Sequence, residues 1–280
     1  MRYYCISDVH GEYDKMIEAL EDAAFNKETD TLVSVGDLFD RGLKSREVLE
    51  FVMSCPHRIL IMGNHDLRLM QLINDPLQYN GYDTHNGVCQ TLISMLKLKD
   101  DERVNIVDAL ILLKKDELLK QYFYECVAAI EFPNYVITHG WIPVNELDYG
   151  RYEPYHIKLE DGTIGDWHQA RVWDWDNATW AHTEIMISKK MFPIGKTMII
   201  GHWHAWRLAQ KFGEKRVANK HDNNTYINCN SFTYRKDNEI KFIAIDGCSN
   251  YENGGQVNVY DFESDELPEK IWGGFHRWCY

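Results

Sequence analysis

The chain lacks any C-x-x-C pair, and its seven cysteines are odd in number. Cys5, Cys55, Cys89, Cys126, Cys229, Cys248 and Cys279 are scattered along 280 residues. That distribution excludes a disulfide framework or a zinc knuckle and fits reduced thiols in a cytosolic protein. Cations are scarce: 30 Lys and Arg stand against 43 Asp and Glu, a formal net charge of −13. Such a balance excludes sequence-independent grip on a nucleic-acid duplex, which needs Lys and Arg to displace counterions. It does not exclude a nucleotide, because bound dications present local positive charge on an acidic protein. No apolar run approaches the roughly 18 residues of a membrane span. No basic region with an apolar stretch and cleavage site opens the chain, so a cytoplasmic protein is expected. Repeats, low-complexity tracts and linkers are also missing, which favours one domain over residues 1–280.

At 45% hydrophobic and 26% charged residues, the composition is that of a folded chain with a real core. Residues 3–6, 31–35, 58–62, 135–138 and 197–200 are short runs, β-branched or aromatic, bounded by polar residues or glycine. Each predicts a buried strand. Residues 241–245 read as a sixth strand, and 256–260 alternate like a seventh. Between the first strands, residues 12–24 carry Met16, Ile17, Leu20, Ala23 and Ala24 at helical spacing, and 45–53 carry Val48, Leu49, Val52 and Met53. Strand–helix alternation over the first 66 residues predicts crossover units of an α/β protein. Residues 67–130 break that rhythm with helical patterns at 67–73, 88–98 and 103–124 and a turn-rich stretch at 74–87. They are expected to form a helical insertion covering one side of the site. Residues 141–195, with Trp141, Trp167, Trp173, Trp175 and Trp180, are expected to form aromatic-rich active-site loops plus one helix.

Polar motifs stand where the apolar runs stop: Ser7-Asp8-Val9-His10-Gly11, Gly36 to Gly42, Gly63-Asn64-His65-Asp66, His139-Gly140 and Gly201-His202-Trp203-His204. At the carboxyl ends of strands in an open α/β sheet, such loops converge on one site. Asp8 and His10, two residues apart in an extended segment, point to one side and can reach one ion. Asp37 can bridge two ions, and Asn64, His139 and His202 would complete the second. Mixed oxygen and imidazole donors suit Mn, Fe or Zn better than Ca or Mg. Two divalent ions together clamp the attacking and leaving oxygens of a displacement at phosphorus. His65 could give a proton to a leaving alkoxide, with Asp40 holding its other ring nitrogen. Arg41 could fork N–H donors onto phosphoryl oxygens. His57, His85, His156, His168, His182, His221 and His276 lack ligand spacing and are expected at the surface or in packing.

The order DVHG, GDLFDRG, GNHD, THG, GH resembles the calcineurin-like metallophosphoesterase superfamily, and GD-x-x-DRG with GNH[ED] resembles its phosphoprotein phosphatase branch. That branch includes Ser/Thr protein phosphatases and symmetrical diadenosine tetraphosphate hydrolases. The late Ile245-Asp246-Gly247-Cys248 is similar to the branch's I-D-x-G strand end. The resemblance implies a four-layer α/β/β/α sandwich, with Asp8, His10 and Asp37 on one metal and Asp37, Asn64, His139 and His202 on the other. A hydroxide between the metals would be the nucleophile. Ser7 replaces the usual Gly, and His204 stands where the branch has Pro. The wider superfamily uses GH-x-H, which implies His204 as a further ligand of the first metal. Arg171 is the nearest match to the branch's second phosphate-binding Arg, with Arg68 and Arg207 also near motifs. The expected activity is a Ser/Thr phosphoprotein phosphatase, with a dinucleoside polyphosphate hydrolase as the alternative. A catalytically silent binding protein would require a lost ligand, and none is lost.

Overall fold

The computed structural model describes residues 1–98, 105–148, 151–154, 167–193, 195–213, 229–252 and 254–273. In chain order it runs β1 (Arg2–Ile6), α1 (Tyr13–Asp22), β2 (Thr31–Ser34), α2 (Ser45–Ser54), β3 (Arg58–Leu60) and α3 (Asn64–Asn74). Next come α4 (Gly81–Asn86), α5 (Val88–Met95), α6 (Ile106–Leu113) and α7 (Glu117–Glu125). They lead to β4 (Ala129–Glu131), β5 (Tyr135–Thr138), β6 (Val144–Asp148), β7 (Arg151–Pro154), α8 (Val172–Thr179) and α9 (Thr183–Ser188). Then follow β8 (Thr197–Ile200), α10 (Ala205–Phe212), β9 (Phe232–Lys236), β10 (Glu239–Ala244), β11 (Val259–Glu263) and β12 (Glu269–Ile271).

One sheet has the order β11-β1-β2-β3, and the other the order β12-β4-β5-β8-β10-β9. β1, β2 and β3 are parallel, as are β5, β8 and β10, with antiparallel partners at the flanks. The two-residue period of a strand decides how the sheets stack. Tyr3, Cys5, Val33, Val35, Ile59 and Ile61 of the first sheet share one buried cluster with Ile130, Ile137, Ile199 and Ile243 of the second. Their neighbours Ile6, Leu32, Leu60, Val136, Met198 and Phe242 face the opposite way, into the helices. α7 packs on β3 and α2, and α10 packs on β9, so helices cover both outer faces. The result is the expected helix–sheet–sheet–helix sandwich, and both faces of its parallel strands are dry, which is why they read as unbroken apolar runs.

Several element boundaries depart from expectation, each for a local polar reason. The helix expected over 103–124 is two helices, because the Asp116 side chain accepts from Leu119 N at 2.9 Å and starts α7. The stretch 74–87 contains α4, capped by Asn80 accepting from Tyr82 N at 2.9 Å and ended by left-handed Gly87. The strand expected over 256–260 begins at Val259, because the Asn258 side chain turns inward to donate to Cys229 O and Ile245 O. Among the described residues of 141–195 are the helices α8 and α9 and the β6–β7 pair, and Trp141, Trp167 and Trp175 are core residues. Parts of the two expected segments, 99–104, 149–150, 155–166 and 194, lie outside the described residues, as do His156, His221 and His276. Among the described residues, no helix is long and apolar enough to cross a membrane.

Arg68 is committed to the fold and not to a phosphate. It forks onto Asp83 through Nε at 2.7 Å and Nη2 at 2.9 Å, tying α3 to α4. Burial alone would push the Asp83 carboxyl up, but hydrogen bonds from Arg68 and the Asn80 amide leave it below its ordinary range. The stabilisation is therefore complete above the unfolded pKa, about 3.9, and is lost as pH falls through the lower folded value. Arg68→Ala should cost about 1–3 kcal/mol at neutral pH, the range for leaving a buried acceptor unsatisfied. It should also flatten the acid limb of stability measured by urea unfolding. A variant as stable as the parent at both pH values would contradict this account.

Candidate active site

The carboxyl ends of six parallel strands meet along one edge of the sandwich. β1 delivers Asp8 and His10, β2 delivers Asp37, Asp40 and Arg41, and β3 runs into Asn64, His65 and Asp66 at the start of α3. From the other sheet, β5 delivers His139, β8 delivers His202 and His204, and β10 delivers Asp246. Asp8, His10, Asp37, Asp40, Arg41 and His202 all have left-handed φ, between 49° and 69°. Non-glycine residues there cost of order 1–2 kcal/mol each, and such strain gathers where side chains must be aimed. Glycines permit the close approach: a Cβ on Gly63 would run into the amide and carboxylate of Asp37, and one on Gly201 into Ser7 and Asp8.

These loops enclose a cavity of about 150 Å³ lined by Asp8, His10, Asp37, Asn64, His202, His204 and Asp246, with Arg41 and His65 at one side. Asp37 is its centre. Its Oδ2 lies 3.9 Å from His10 Nε2 and 3.4 Å from His139 Nε2. His10 Nδ1 is held by Phe39 O and His139 Nδ1 by Val35 O, both at 2.8 Å, so each ring turns its Nε2 toward Asp37. Backbone carbonyls that fix the far nitrogen of an imidazole in this way are the usual outer support of metal-binding histidines. Asp8 Oδ1 stands 3.9 Å from His10 Nε2 on one side of Asp37. Asn64 Oδ1 stands 2.9 Å from His139 Nε2 on the other. Donors of one ion with bonds of about 2.0–2.2 Å stand roughly 3–4 Å apart, so the set fits two ions sharing Asp37. His202 gathers with Asp37 and His139.

The calcineurin-like phosphoesterase family model matches residues 1–244. The chain belongs to that family. Its family is one of phosphoesterases, and its buried Asp and His groups have the makeup to hold ions. Over 71 residues it is 48% identical to the bis(5'-nucleosyl)-tetraphosphatase, symmetrical, of Salmonella arizonae, and 46% identical to that of Salmonella newport. Each match covers 25% of this chain and 25% of the relative, so the chain spans about a quarter of the length of these curated relatives. Similar solved structures include a cold-active protein-tyrosine phosphatase of a psychrophile Shewanella sp., at 16% identity and TM-score 0.49 over 96% of this chain and 80% of that one. A protein serine/threonine phosphatase from Saccharomyces cerevisiae is similar at 12% identity and TM-score 0.41, over 97% and 83% of the two chains.

Electrostatics in the calcineurin-like site follow from burial. Burial alone would protonate Asp37, but His139, His65 and His10 outweigh it and hold the carboxyl well below its ordinary range. Burial opposes a charge on His139, yet Asp37 and Asp8 raise its pKa to about 10. Burial, then Asp246 and Asp37, push Asp8 well above the carboxylate range. Burial, then Arg41 and His65, hold His10 well below the imidazole range, and burial with His139 pushes His202 down to about 3. A proton on His139 thus balances the buried charge of Asp37.

His65 Nδ1 lies 2.8 Å from Asp40 Oδ2, and Arg41 Nη2 lies 3.2 Å from His65 Nε2. Thr91 of α5 donates its hydroxyl to Asp40 Oδ1 at 3.0 Å and accepts the Asp40 amide at 2.8 Å. His204 lies in the same cavity as Asp8 and His10, its Nε2 3.9 Å from Asp246 Oδ2, and it gathers with Asp246 and Cys248. Arg171 precedes α8, pairs with Asp174 at 3.2 Å, lies over the Trp173 ring and does not line the cavity. Arg207 lies over Trp206. Of the tryptophans singled out from sequence, Trp180 lines the cavity and stands edge-on to His202, with Tyr82 of α4 also in the lining.

Asp66 and Asp246 belong to the site although sequence reasoning assigned them no role. Asp66, the fourth residue of GNHD, is fully buried and accepts from Asp37 N at 2.8 Å, Leu38 N at 3.1 Å and Gly63 N at 3.1 Å. Its position beside a run of ligands was the available signal. Burial and then Asp37 push its carboxyl up to about 6. Asp66→Ala leaves three buried amides without an acceptor, at about 1–3 kcal/mol each. The expected outcome is a loss of about 3 kcal/mol or more in urea unfolding and faster hydrogen exchange at the amides of Asp37 and Leu38. Exchange unchanged at those two amides would show that something else holds the loop.

Proposed function

We propose that Asp37 bridges two divalent ions (Mn, Fe or Zn), with Asp8 and His10 on the first and Asn64, His139 and His202 on the second. The observation behind this reading is the position of Asp37 Oδ2 between two imidazoles whose far nitrogens are both tied to backbone carbonyls. When bound, the ions would lower the pKa of water and neutralise charge building on phosphorus. Around them, this chain's residues do the rest. Arg41 offers guanidinium donors to the phosphoryl oxygens, where charge spreads in the transition state. His65, held at Nδ1 by the Asp40 that Thr91 in turn fixes, accepts from Arg41 at Nε2, and with Arg41 turned to the phosphoryl group a protonated Nε2 would donate to the leaving oxygen. Arg171, outside the cavity lining, has no part in this reading.

The substrate class we favour is a nucleoside polyphosphate, which reverses the order the motifs alone suggest. Trp180 and Tyr82 line the cavity yet are 39% and 56% exposed, an arrangement that suits stacking against a base while the phosphates reach Asp37. The 71-residue likeness to symmetrical bis(5'-nucleosyl)-tetraphosphatases points the same way. The second reading, a phosphoprotein phosphatase, is favoured by the Asp40-Arg41-Gly42 and Gly63-Asn64-His65-Asp66 motifs.

Two measurements separate these readings. With Mn-loaded protein, diadenosine tetraphosphate should be turned over with higher kcat/KM than a phosphoserine peptide. Trp180→Ala should raise KM for the dinucleotide about tenfold, as for a lost base stack of 1–3 kcal/mol, and leave p-nitrophenyl phosphate nearly unchanged. Preference for the peptide, with both substrates indifferent to Trp180, would select the second reading. His65→Asn tests the proton donor on either. It should lose about 10²-fold or more on alkyl phosphates and far less on p-nitrophenyl phosphate, whose phenolate leaves unaided. Equal losses on both would assign His65 to positioning.

A further inference from the structure

We propose that His204, Asp246 and Cys248, with Cys229 as a fourth donor, form a third metal site of the zinc type beside the two-ion centre. Donor atoms of His204, Asp246 and Cys248 lie within 4.8 Å of one another, a group separate from the two that share Asp37. Donors of one tetrahedral ion at bonds of about 2.0–2.3 Å stand roughly 3.3–3.8 Å apart, so a shift of about 1 Å closes the set. Asp246 is already turned between the other two. Asp246 Oδ1 accepts the Cys248 amide at 2.8 Å, while Oδ2 turns toward His204 Nε2 at 3.9 Å. His204 Nδ1 is buried with no hydrogen-bond partner, a state that buried polar atoms rarely keep.

Cys248 is buried and sits at φ +53°, a backbone conformation that glycine would adopt freely. Keeping a thiol there points to a use for it. Cys229, also buried, shares a cluster with Cys248 and Trp206. The Asn258 side-chain amide donates to Cys229 O at 2.8 Å and Ile245 O at 3.2 Å, clamping the segments that carry both thiols. Thiolate, imidazole and carboxylate together select zinc, whereas the Asp37 centre offers only oxygen and imidazole. Binding would release the two thiol protons to solvent, since the thiolate is the ligand. This site stands whether or not the two-ion reading does.

Cobalt is the probe. The full chain, reduced and stripped of metal, is titrated with Co²⁺ and followed by absorbance and metal analysis. A thiolate-to-cobalt charge-transfer band should grow in and saturate at one equivalent. Cys248→Gly suits the left-handed backbone, and should fold, lose the band and hold one ion fewer. Cys229→Ser should weaken retention of that ion by at least about tenfold, the scale of even an outer-shell loss. Asp37→Asn, which damages the two-ion centre, should keep the band. No band in the unsubstituted chain, or equal cobalt content in Cys248→Gly, overturns the proposal. So does an ion lost in His204→Ala but kept in Cys248→Gly, which would place His204 on the first ion of the Asp37 centre.

Discussion

A carboxylate shut away from water governs this molecule. Asp37 is 2% exposed and still held well below the ordinary carboxylate range, which burial alone would forbid. Positive charge placed against it allows that, chiefly on His139 at the end of β5 in the other sheet. Close approach then requires that nothing else occupy the space. Gly63 leaves room for the Asp37 side chain, and His65 N donates to Asp37 Oδ1 at 2.9 Å. The buried charge, the glycines and the backbone donors are one arrangement, because removing any of them strands another group without a partner.

Such an arrangement is strained, and its support comes from the sandwich. Six site residues in left-handed backbone would be untenable in an isolated loop. Here they follow strands buried on both faces, between an inter-sheet cluster and a helical one. Hydrogen bonds then stitch the loops crosswise. Asp66 holds the loop after β2 to the start of α3, and Ser249 donates to Asp8 O at 2.6 Å, joining the loop after β10 to the loop after β1.

The helices between β3 and β4 do more than cover apolar surface. Thr91 reaches from α5 to fix Asp40, and Tyr82 and Asn86 of α4 enter the cavity lining. The Arg68–Asp83 pair ties α4 to α3, so a surface-looking stretch is coupled to the cavity wall. On the opposite wall, Trp180 follows α8, whose Trp175 is buried in the core. The buried Asp and His groups and the aromatic lining of the cavity thus hang on different elements of one scaffold.

Local chemistry made much of this legible in the sequence. An apolar run that stops at Asp, Asn or His marks a strand end, and five such stops named Asp8, His10, Asp37, Asn64, His139 and His202 before any contact was known. The strand–helix alternation pointed to an α/β protein, and the family resemblance implied the sandwich. Other features depend on partners far along the chain, and periodicity carries no information about those. Asp246 and Ser249 matter because β10 lies beside β8, and Thr91 because α5 packs on α2. Arg171 sits near a motif in sequence yet points along its own helix start, since its partner Asp174 is three residues away. The division falls at the reach of a side chain: the sequence determined which residues end the strands, and the packing of two sheets decided which of those ends meet.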